Sequence, residues 1–347
     1  MEKAMIAMSG GVDSSVTAYL MQLAGFTCIG ATMHLCDGLT PPTTGAQDAR
    51  SVADRLGLAF YEFDHTALFR EKVVEEFIRC YEQGGTPNPC LYCNRHLKFD
   101  ALMQEARKLD CNYIVTGHYA RIEQGPNTGR YLLKKAMDLQ KDQSYFLSCL
   151  TQQQLAHTKF PLGSMTKEQV RQIAQEQGFI NAKKRDSQDI CFIPDGDYRS
   201  FMERYTGKHY PAGAYLDLDG NVVGTHSGAV GYTIGQRKGL GIALGEPVYV
   251  CRKDMNANTV TVGPDAALYS SVLQASDWNW IAIADLTEPL RCKARVRYRH
   301  TEQPATVYPE ENGIARVEFD EPQRAITPGQ TVVLYDGDTV IGGGTIL

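Results

Sequence analysis

The stretch Met5-Ile6-Ala7-Met8-Ser9-Gly10-Gly11-Val12-Asp13-Ser14-Ser15-Val16 decides how the first half of the chain folds. Its first four residues are an apolar run with no helical period, and Val16, Tyr19, Leu20 and Leu23 then recur at helical spacing. The pattern is strand, glycine turn, helix. Adjacent glycines let the backbone turn tightly and approach a ligand with no Cβ in the way. Ser9, Ser14 and Ser15 add hydroxyl donors, and the helix start presents unpaired N–H groups and a positive dipole end, which suit a phosphate.

Working outward, short apolar strands alternate with amphipathic helices. Strands are expected at Lys3–Met8, Thr27–Met33, Leu58–Phe63 and Tyr113–Thr116. Helices are expected at Ser14–Ala24, Ala46–Gly57, Thr66–Tyr81, Leu97–Leu109 and Lys167–Gly178, the last opening on the capping-box pattern Thr166-Lys-Glu-Gln169. This alternation predicts an α/β fold, a doubly wound parallel sheet covered on both faces. Ligands then bind at the carboxyl ends of the strands, where Ser9–Asp13, Met33–Leu39 and Thr116–Ala120 emerge.

A chain of 347 residues exceeds one typical domain. Three are expected: 1–200, 201–268 and 269–347. The middle one is rich in glycine (Gly224, Gly228, Gly231, Gly235, Gly239, Gly241, Gly245) and carries short β runs at Val248–Cys251 and Thr259–Val262. The last reads as a small β-barrel, with turn signals at Asn312-Gly313, Pro328-Gly329 and Asp336-Gly337. Arg291, Lys293, Arg295, Arg297 and Arg299 fall at every second position; on one strand they would form a cationic face fit for a phosphate backbone. With 43 % hydrophobic and 22 % charged residues, no apolar run of membrane-spanning length and a strand starting almost at the N-terminus, a cytoplasmic enzyme with no membrane contact is expected. A net charge of −5 argues against indiscriminate nucleic-acid binding while leaving room for a local basic surface.

Ten cysteines in such a chain point to metal binding or catalysis rather than to a disulfide scaffold. Thr86-Pro87-Asn88-Pro89-Cys90-Leu91-Tyr92-Cys93-Asn94 is expected to be a loop running into the helix near Leu97, because two prolines interrupt it. A Cys-x-x-Cys pair at a helix start has lowered thiol pKa values and fits redox, zinc or iron–sulfur chemistry. Cys191 lies in Arg185-Asp-Ser-Gln-Asp-Ile-Cys-Phe-Ile193, where Lys183, Lys184 and Arg185 would favour a thiolate. Cys28, Cys36, Cys80, Cys111, Cys149, Cys251 and Cys292 read as core, Cys36 least securely because it follows a strand end.

The Ser9–Ser15 heptad, with Asp13 inside it and no Gly-Lys-Ser/Thr after it, is the signature of pyrophosphate-loop ATPases, which cleave ATP between the α and β phosphates. Together with Thr86–Asn94, Thr116–Ala120, Lys141-Asp142-Gln143-Ser144-Tyr145, Ser187–Ile193 and the glycine-rich stretch, it makes the whole chain resemble the tRNA-specific 2-thiouridylases. That resemblance implies an adenine nucleotide α-hydrolase-like catalytic domain followed by the two β domains. It implies thiolation of C2 of the wobble uridine in tRNAs for Lys, Glu and Gln, using ATP and Mg²⁺ and a sulfur donor, either a persulfide-carrying protein or sulfide. ATP would be bound by Ala7, Met8, Ser9, Gly10, Gly11, Val12, Asp13, Ser14, Ser15, Met33 and Gly117, with Asp13 also catalytic. Cys191 would carry sulfur as a persulfide, and Cys93 would attack it or close a disulfide to it. Asn88, Pro89 and Cys90 would face the target base; His118, Lys141, Asp142, Gln143, Tyr298, Arg299 and Gln330 would contact tRNA.

One residue departs from the commonest family pattern, which has Asn-Pro-Asp where this chain has Asn88-Pro89-Cys90. Cys90, Cys93 and Cys191 thereby make a three-thiolate set that would suit a [4Fe–4S] cluster with one open iron. An adenylating ligase of the same loop class, acting on a small molecule, is the competing reading. It needs neither the paired cysteine loops nor the basic tail.

Overall fold

The computed structural model describes residues 2–36, 38–40, 44–126, 128–182, 184 and 190–347. Strands β1 (Lys3–Ala7), β2 (Thr27–His34), β3 (Ala59–Asp64) and β4 (Tyr113–Val115) join the later β7 (Thr158–Lys159) in a wholly parallel sheet of order β3-β2-β1-β4-β7. Helices α1 (Val12–Leu23) and α2 (Gly45–Leu56) follow the first two strands. Met5, Ile6, Ala4 and Val16 are fully buried, as a sheet covered on both faces requires. The sheet order reverses between β1 and β4, so the crevice for a ligand opens beside the glycine turn.

Two helical stretches differ from expectation. One runs over 66–82 with π-type turns at Arg70–Val74. The other runs over 89–108 and starts at Pro89, eight residues before the expected Leu97. Proline at the first helical position is pre-set for a helix and lacks only an N–H that would be unpaired anyway. Cys90 and Cys93 therefore sit within the helix's first turns. The capping box of the helix Lys167–Glu176 forms as expected, Thr166 N donating to Gln169 Oε1 at 2.8 Å and Gln169 N to Thr166 Oγ1 at 3.3 Å.

The middle domain is a four-stranded sheet, β8 (Gly213–Leu216), β9 (Val222–His226), β10 (Tyr249–Asp254) and β11 (Thr259–Gly263), in the order β10-β11-β8-β9. The tail is a closed six-stranded barrel of β12 (Tyr269–Trp280), β13 (Leu290–Arg295), β14 (Gln303–Pro309), β15 (Ala315–Arg324), β16 (Thr331–Asp336) and β17 (Thr339–Ile346), sealed by β12 pairing with β17. A hairpin that the sequence reading did not foresee, β5 (Ala120–Gln124) and β6 (Tyr131–Lys135), extends from the first domain to pair with β17.

The barrel is tied to the first domain by polar struts. Arg95 Nη1 donates to Asp277 Oδ2 at 2.6 Å, Asn279 Nδ2 to Ser148 O at 2.7 Å, and Thr86 N to Pro328 O at 2.8 Å. The cationic strand face does not exist as expected. β13 ends at Arg295, so Arg297 and Arg299 lie beyond it. Arg291 pairs with Asp320; Arg295 is 3.9 Å from buried Asp142; Arg297 Nη2 donates to Ala325 O at 2.6 Å and Ile234 O at 3.1 Å, joining the middle domain to the barrel.

Phe192, 1 % exposed, packs edge-on against Phe69 and Phe77 and tilted against Phe201, with centroids at 5.6, 5.3 and 5.3 Å. Phe192→Ala is expected to cost about 3–5 kcal/mol, seen as a lower urea midpoint; an unchanged midpoint would mean that the segment is held elsewhere.

Candidate active site

The glycine turn is braced from behind. Ser14 Oγ and Ser15 Oγ each donate to Gly11 O at 3.0 Å, and Asn181 Nδ2 donates to Gly10 O at 3.1 Å and Ser15 Oγ at 2.9 Å. Ser15 is fully buried, so its hydroxyl, expected to face a ligand, instead shapes the loop. Met8 and Val12 are likewise buried and can offer a nucleotide only their backbones. Gly10 has φ +73°, and a Cβ there would stand 2.2 Å from Gly45 O. A Cβ on Gly117 would meet Asp13 C at 2.9 Å, because the β4 exit packs onto the start of α1. On Gly11 it would meet only Ser9 Oγ, at 3.4 Å, leaving the outer face of the turn open. With Gly11 as an N-cap that offers no side-chain acceptor, the open face and twelve-residue α1 form a cradle that fits a triphosphate.

Asp13, in the first turn of α1, is bound on both oxygens by Lys167 Nζ, at 2.7 and 2.8 Å, and accepts from the Tyr119 hydroxyl at 2.8 Å. Lys167 is 7 % exposed. Asp13→Ala would strand that ammonium, so loss of Asp13 acts on structure as well as chemistry. Met33 and Gly117, the other expected nucleotide contacts, stand at the carboxyl ends of β2 and β4, the two strands that flank β1, and are half-buried.

The thiols gather at the same edge of the sheet. Cys191 is exposed on a segment anchored by Phe192, and Cys36 Sγ donates to Cys191 Sγ across 3.9 Å. Cys36 is thus not the core residue expected. Cys191 acts electrostatically on both Cys90 and Cys93. Sharing a hydrogen bond with Cys36 in the neutral thiol form, together with desolvation, pushes the Cys191 thiol far up, against the opposing Lys98 and a backbone hydrogen bond. Burial raises Cys93 to about 11 and Cys90 above its ordinary value, with Lys98 the opposing cation in both cases. The expectation of lowered thiol pKa values is therefore corrected: desolvation outweighs the helix start. Of the cations expected beside Cys191, Lys183 and Arg185 lie outside the described residues, as does most of Arg185–Ile193, and Lys184 pairs with Asp48 at 2.8 Å. Among the described residues no three of His, Cys, Asp and Glu form a set that could hold a metal ion. The three-thiolate ligand set is not assembled in this arrangement.

The chain leading into Asn88–Cys90 is clamped by Gln330, whose Nε2 donates to Thr86 O at 2.9 Å and Pro87 O at 3.3 Å. Asp142, expected on tRNA, is 4 % exposed and accepts from Ala136 N at 3.0 Å and Ser144 Oγ at 2.8 Å, so its carboxylate is committed to the turn. Gln143 Oε1 accepts from Tyr119 N at 2.9 Å, fixing the loop after β4. Arg299 is exposed; it, Lys141 and Arg295 all act on the Tyr298 hydroxyl, and the Tyr298 ring rests on Phe146 at 4.3 Å. This patch, not the β13 face, is the basic surface beside the site. Sequence reasoning passed over Lys98, Lys167, Tyr119 and Asn181. Two carried a usable signal: Lys98, on the helix that starts at the Cys-x-x-Cys pair, and Tyr119, inside the strand exit Thr116–Ala120.

Fold and loop together define an ATP-using α/β enzyme of the HUP class with two appended β domains. Family models match in three consecutive pieces: a tRNA methyl transferase HUP domain over residues 2–195, a tRNA methyl transferase PRC-barrel domain over 199–264 and an aminomethyltransferase β-barrel domain over 270–346. The tRNA-specific 2-thiouridylase MnmA of Acetivibrio thermocellus is 48 % identical over 99 % of each chain, and that of Moorella thermoacetica is 49 % identical over 99 % of this chain and 98 % of its own. The solved U34-tRNA thiolase NcsA from Methanococcus maripaludis is 17 % identical over 59 % of this chain and 67 % of that one, with a TM-score of 0.37, too remote to bear on the site. The chain belongs to the tRNA-specific 2-thiouridylase family, tRNA sulfurtransferases that use ATP to thiolate uridine at C2. No helix among the described residues is long and apolar enough to cross a membrane.

His118 donates to or accepts from Thr116 Oγ1 at 2.7 Å and sits between Phe99 and Phe160; burial, then Lys98, holds it well below the ordinary 6.5. It is neutral when folded, while the unfolded chain binds a proton below about 6.5. Its contribution is present above that pH and lost as pH falls. Stability should drop between pH 7.5 and 5.5 and drop less in His118→Gln; equal slopes in denaturation curves would contradict this.

Proposed function

We propose that the target is the wobble uridine of tRNAs for Lys, Glu and Gln, and that its new sulfur arrives as a persulfide on Cys191, its outer sulfur transferred in the cytoplasm from a persulfide-carrying protein whose own thiol is the leaving group. The observation that carries this reading is the position of Cys191: exposed, anchored through Phe192, and electrostatically coupled to the Asn88–Cys93 segment that would receive the base. We also assign nucleotide and thiol chemistry to 1–200, and to 269–347 the clamp on the base-binding segment, with 201–268 joining them.

In this scheme the open glycine turn binds the phosphates of ATP, as its magnesium complex, and the uridine O2 attacks the α phosphorus. Pyrophosphate leaves toward the N–H groups of α1, where positive charge is fixed in advance. The resulting C2–O–AMP bond turns a poor leaving group into a good one. The base reaches it by leaving its stack, with Asn88, Pro89 and Cys90 against it and Gln330 holding the carbonyls of Thr86 and Pro87 just before them. Lys141, Tyr298 and Arg299 face the adjoining phosphates and bases. Lys98, the cation shared by Cys90, Cys93 and Cys191, stabilises the thiolate that sulfur transfer requires. His118, being neutral, offers tRNA a hydrogen bond rather than a charge.

The alternative, a [4Fe–4S] cluster on Cys90, Cys93 and Cys191, requires those thiols to draw together. Anaerobic purification of Cys90→Asp separates the two. A carboxylate is a poor ligand for iron of this kind, so the persulfide scheme expects Cys90→Asp to be active and iron-free, and Cys191→Ala to be inactive. An inactive Cys90→Asp, beside a wild type holding about four irons per chain, would overturn it. Ser9→Ala should lower ATP-dependent thiolation at least tenfold in the same assay.

A further inference from the structure

We infer that Lys253 of the middle domain positions the segment that would receive the target base, so that this domain acts on the reaction and does more than join its neighbours. The inference rests on the reading above that the base lies against Asn88, Pro89 and Cys90. Lys253 is a positioning residue: it touches backbone, and acts through that backbone on the segment.

The chain that enters the segment has few means of holding itself. The helical stretch over 66–82 ends, and Gly84, with φ +87°, and Gly85 follow. Two glycines leave the backbone many directions to take. Pro87 and Pro89 then remove two N–H groups, so carbonyls are the main handles left. Three consecutive carbonyls are held from other domains. Gln330 of the barrel donates to Thr86 O and Pro87 O. Lys253, on β10, takes the first of the three: its Nζ lies 3.4 Å from Gly85 O and donates to Tyr232 O at 2.8 Å. Tyr232 is 5 % exposed, so the ammonium ties the glycine turn to the core of the middle domain.

The surroundings show what the charge is for. Lys253 is half-buried, its Nζ 5.9 Å from the centroid of the Tyr81 ring, and among the described residues no carboxylate pairs with it. Burial lowers its pKa to about 8, with Cys80 opposing. An apolar side chain of similar length would avoid that desolvation. The ammonium is not needed to dock the domain either. Lys208 Nζ and the Tyr210 hydroxyl both donate to Glu82 Oε1 at the end of the 66–82 stretch, at 2.7 and 2.8 Å, and Arg297 reaches Ile234 O. Behind the turn, a Cβ on Gly85 would stand 2.7 Å from Cys80 Sγ, and one on Gly329 2.5 Å from the same atom, so the back of the turn is already closely packed. What falls to Lys253 is the direction in which Gly85 sends the chain. Asn88 follows three residues later, and a misplacement of about 1 Å at a reacting group can lower the rate by roughly a hundredfold.

The test measures ATP-dependent thiolation and follows base placement with tRNA carrying 5-bromouridine at the wobble position, crosslinked by light and mapped by peptide. The inference expects Lys253→Met, which keeps the length of the side chain and removes the ammonium, to lower kcat at least tenfold while the KM for ATP and the Kd for tRNA stay within about threefold. Its crosslink to the 86–93 peptide should fall in the same proportion, and its urea midpoint should stay near that of wild type. Lys253→Gln, neutral with one amide donor group, is the second neutral variant and should behave in the same way. Lys253→Arg, which keeps the charge and can donate to both carbonyls, should hold kcat and crosslink within about threefold of wild type. Wild-type kcat and crosslink yield in the neutral variants would overturn the inference, as would a loss confined to the urea midpoint. If the wild-type crosslink maps outside 86–93, the reading of where the base lies has itself failed, and the inference with it.

Discussion

The chemistry of this molecule depends on one apolar contact, the Phe192 ring wedged among Phe69, Phe77 and Phe201. The preceding residue is exposed, and a thiol on an untethered segment would sample far more positions than a transfer reaction can use. Burying the neighbouring ring costs that segment its freedom once, at folding, and brings Cys191 to the edge of the sheet beside Cys36. The same economy operates on the facing segment, where Gln330 from the barrel grips the carbonyls of Thr86 and Pro87. The barrel therefore helps to shape the site, and the Arg95–Asp277 pair keeps barrel and helix in register.

Two opposing effects set the state of the thiols. A helix start favours a thiolate by about 0.3–1 kcal/mol. Burial pushes Cys93 from 9.0 to about 11, which corresponds to roughly 3 kcal/mol. Burial wins, and the resting site holds thiols rather than thiolates. Lys98 is the counterweight present on every one of them. A protonated resting state guards these cysteines against oxidation, since the thiolate is the reactive form.

The α/β fold was readable because parallel strands buried on both faces leave continuous apolar runs, as at Met5–Met8, and because the glycine turn admits few backbones. The barrel was readable from turn residues: Asn312 takes φ +59° and Gly337 φ +58° between antiparallel strands. What was misread has a common cause. Alternation of Arg291–Arg299 described spacing but could not say where the strand ends, and beyond Arg295 the Arg297 side chain turns to reach Ile234 of the middle domain. Cys36, Lys167 and Asn181 meet Cys191, Asp13 and Ser15 only across more than a hundred residues of chain, and no local pattern encodes such contacts. Pro89 was taken as a helix breaker, when at a first helical position it is a helix starter.

The most direct test of the central claim follows one sulfur atom. Enzyme loaded with radiolabelled sulfur on Cys191, freed of donor and sulfide and stripped of iron by chelation, is given ATP and unmodified tRNA. If Cys191 carries the transferred sulfur, label should leave the Cys191 peptide and appear in 2-thiouridine in equal amount, only when ATP is present. Label that stays on Cys191 while tRNA is thiolated from added sulfide would contradict it.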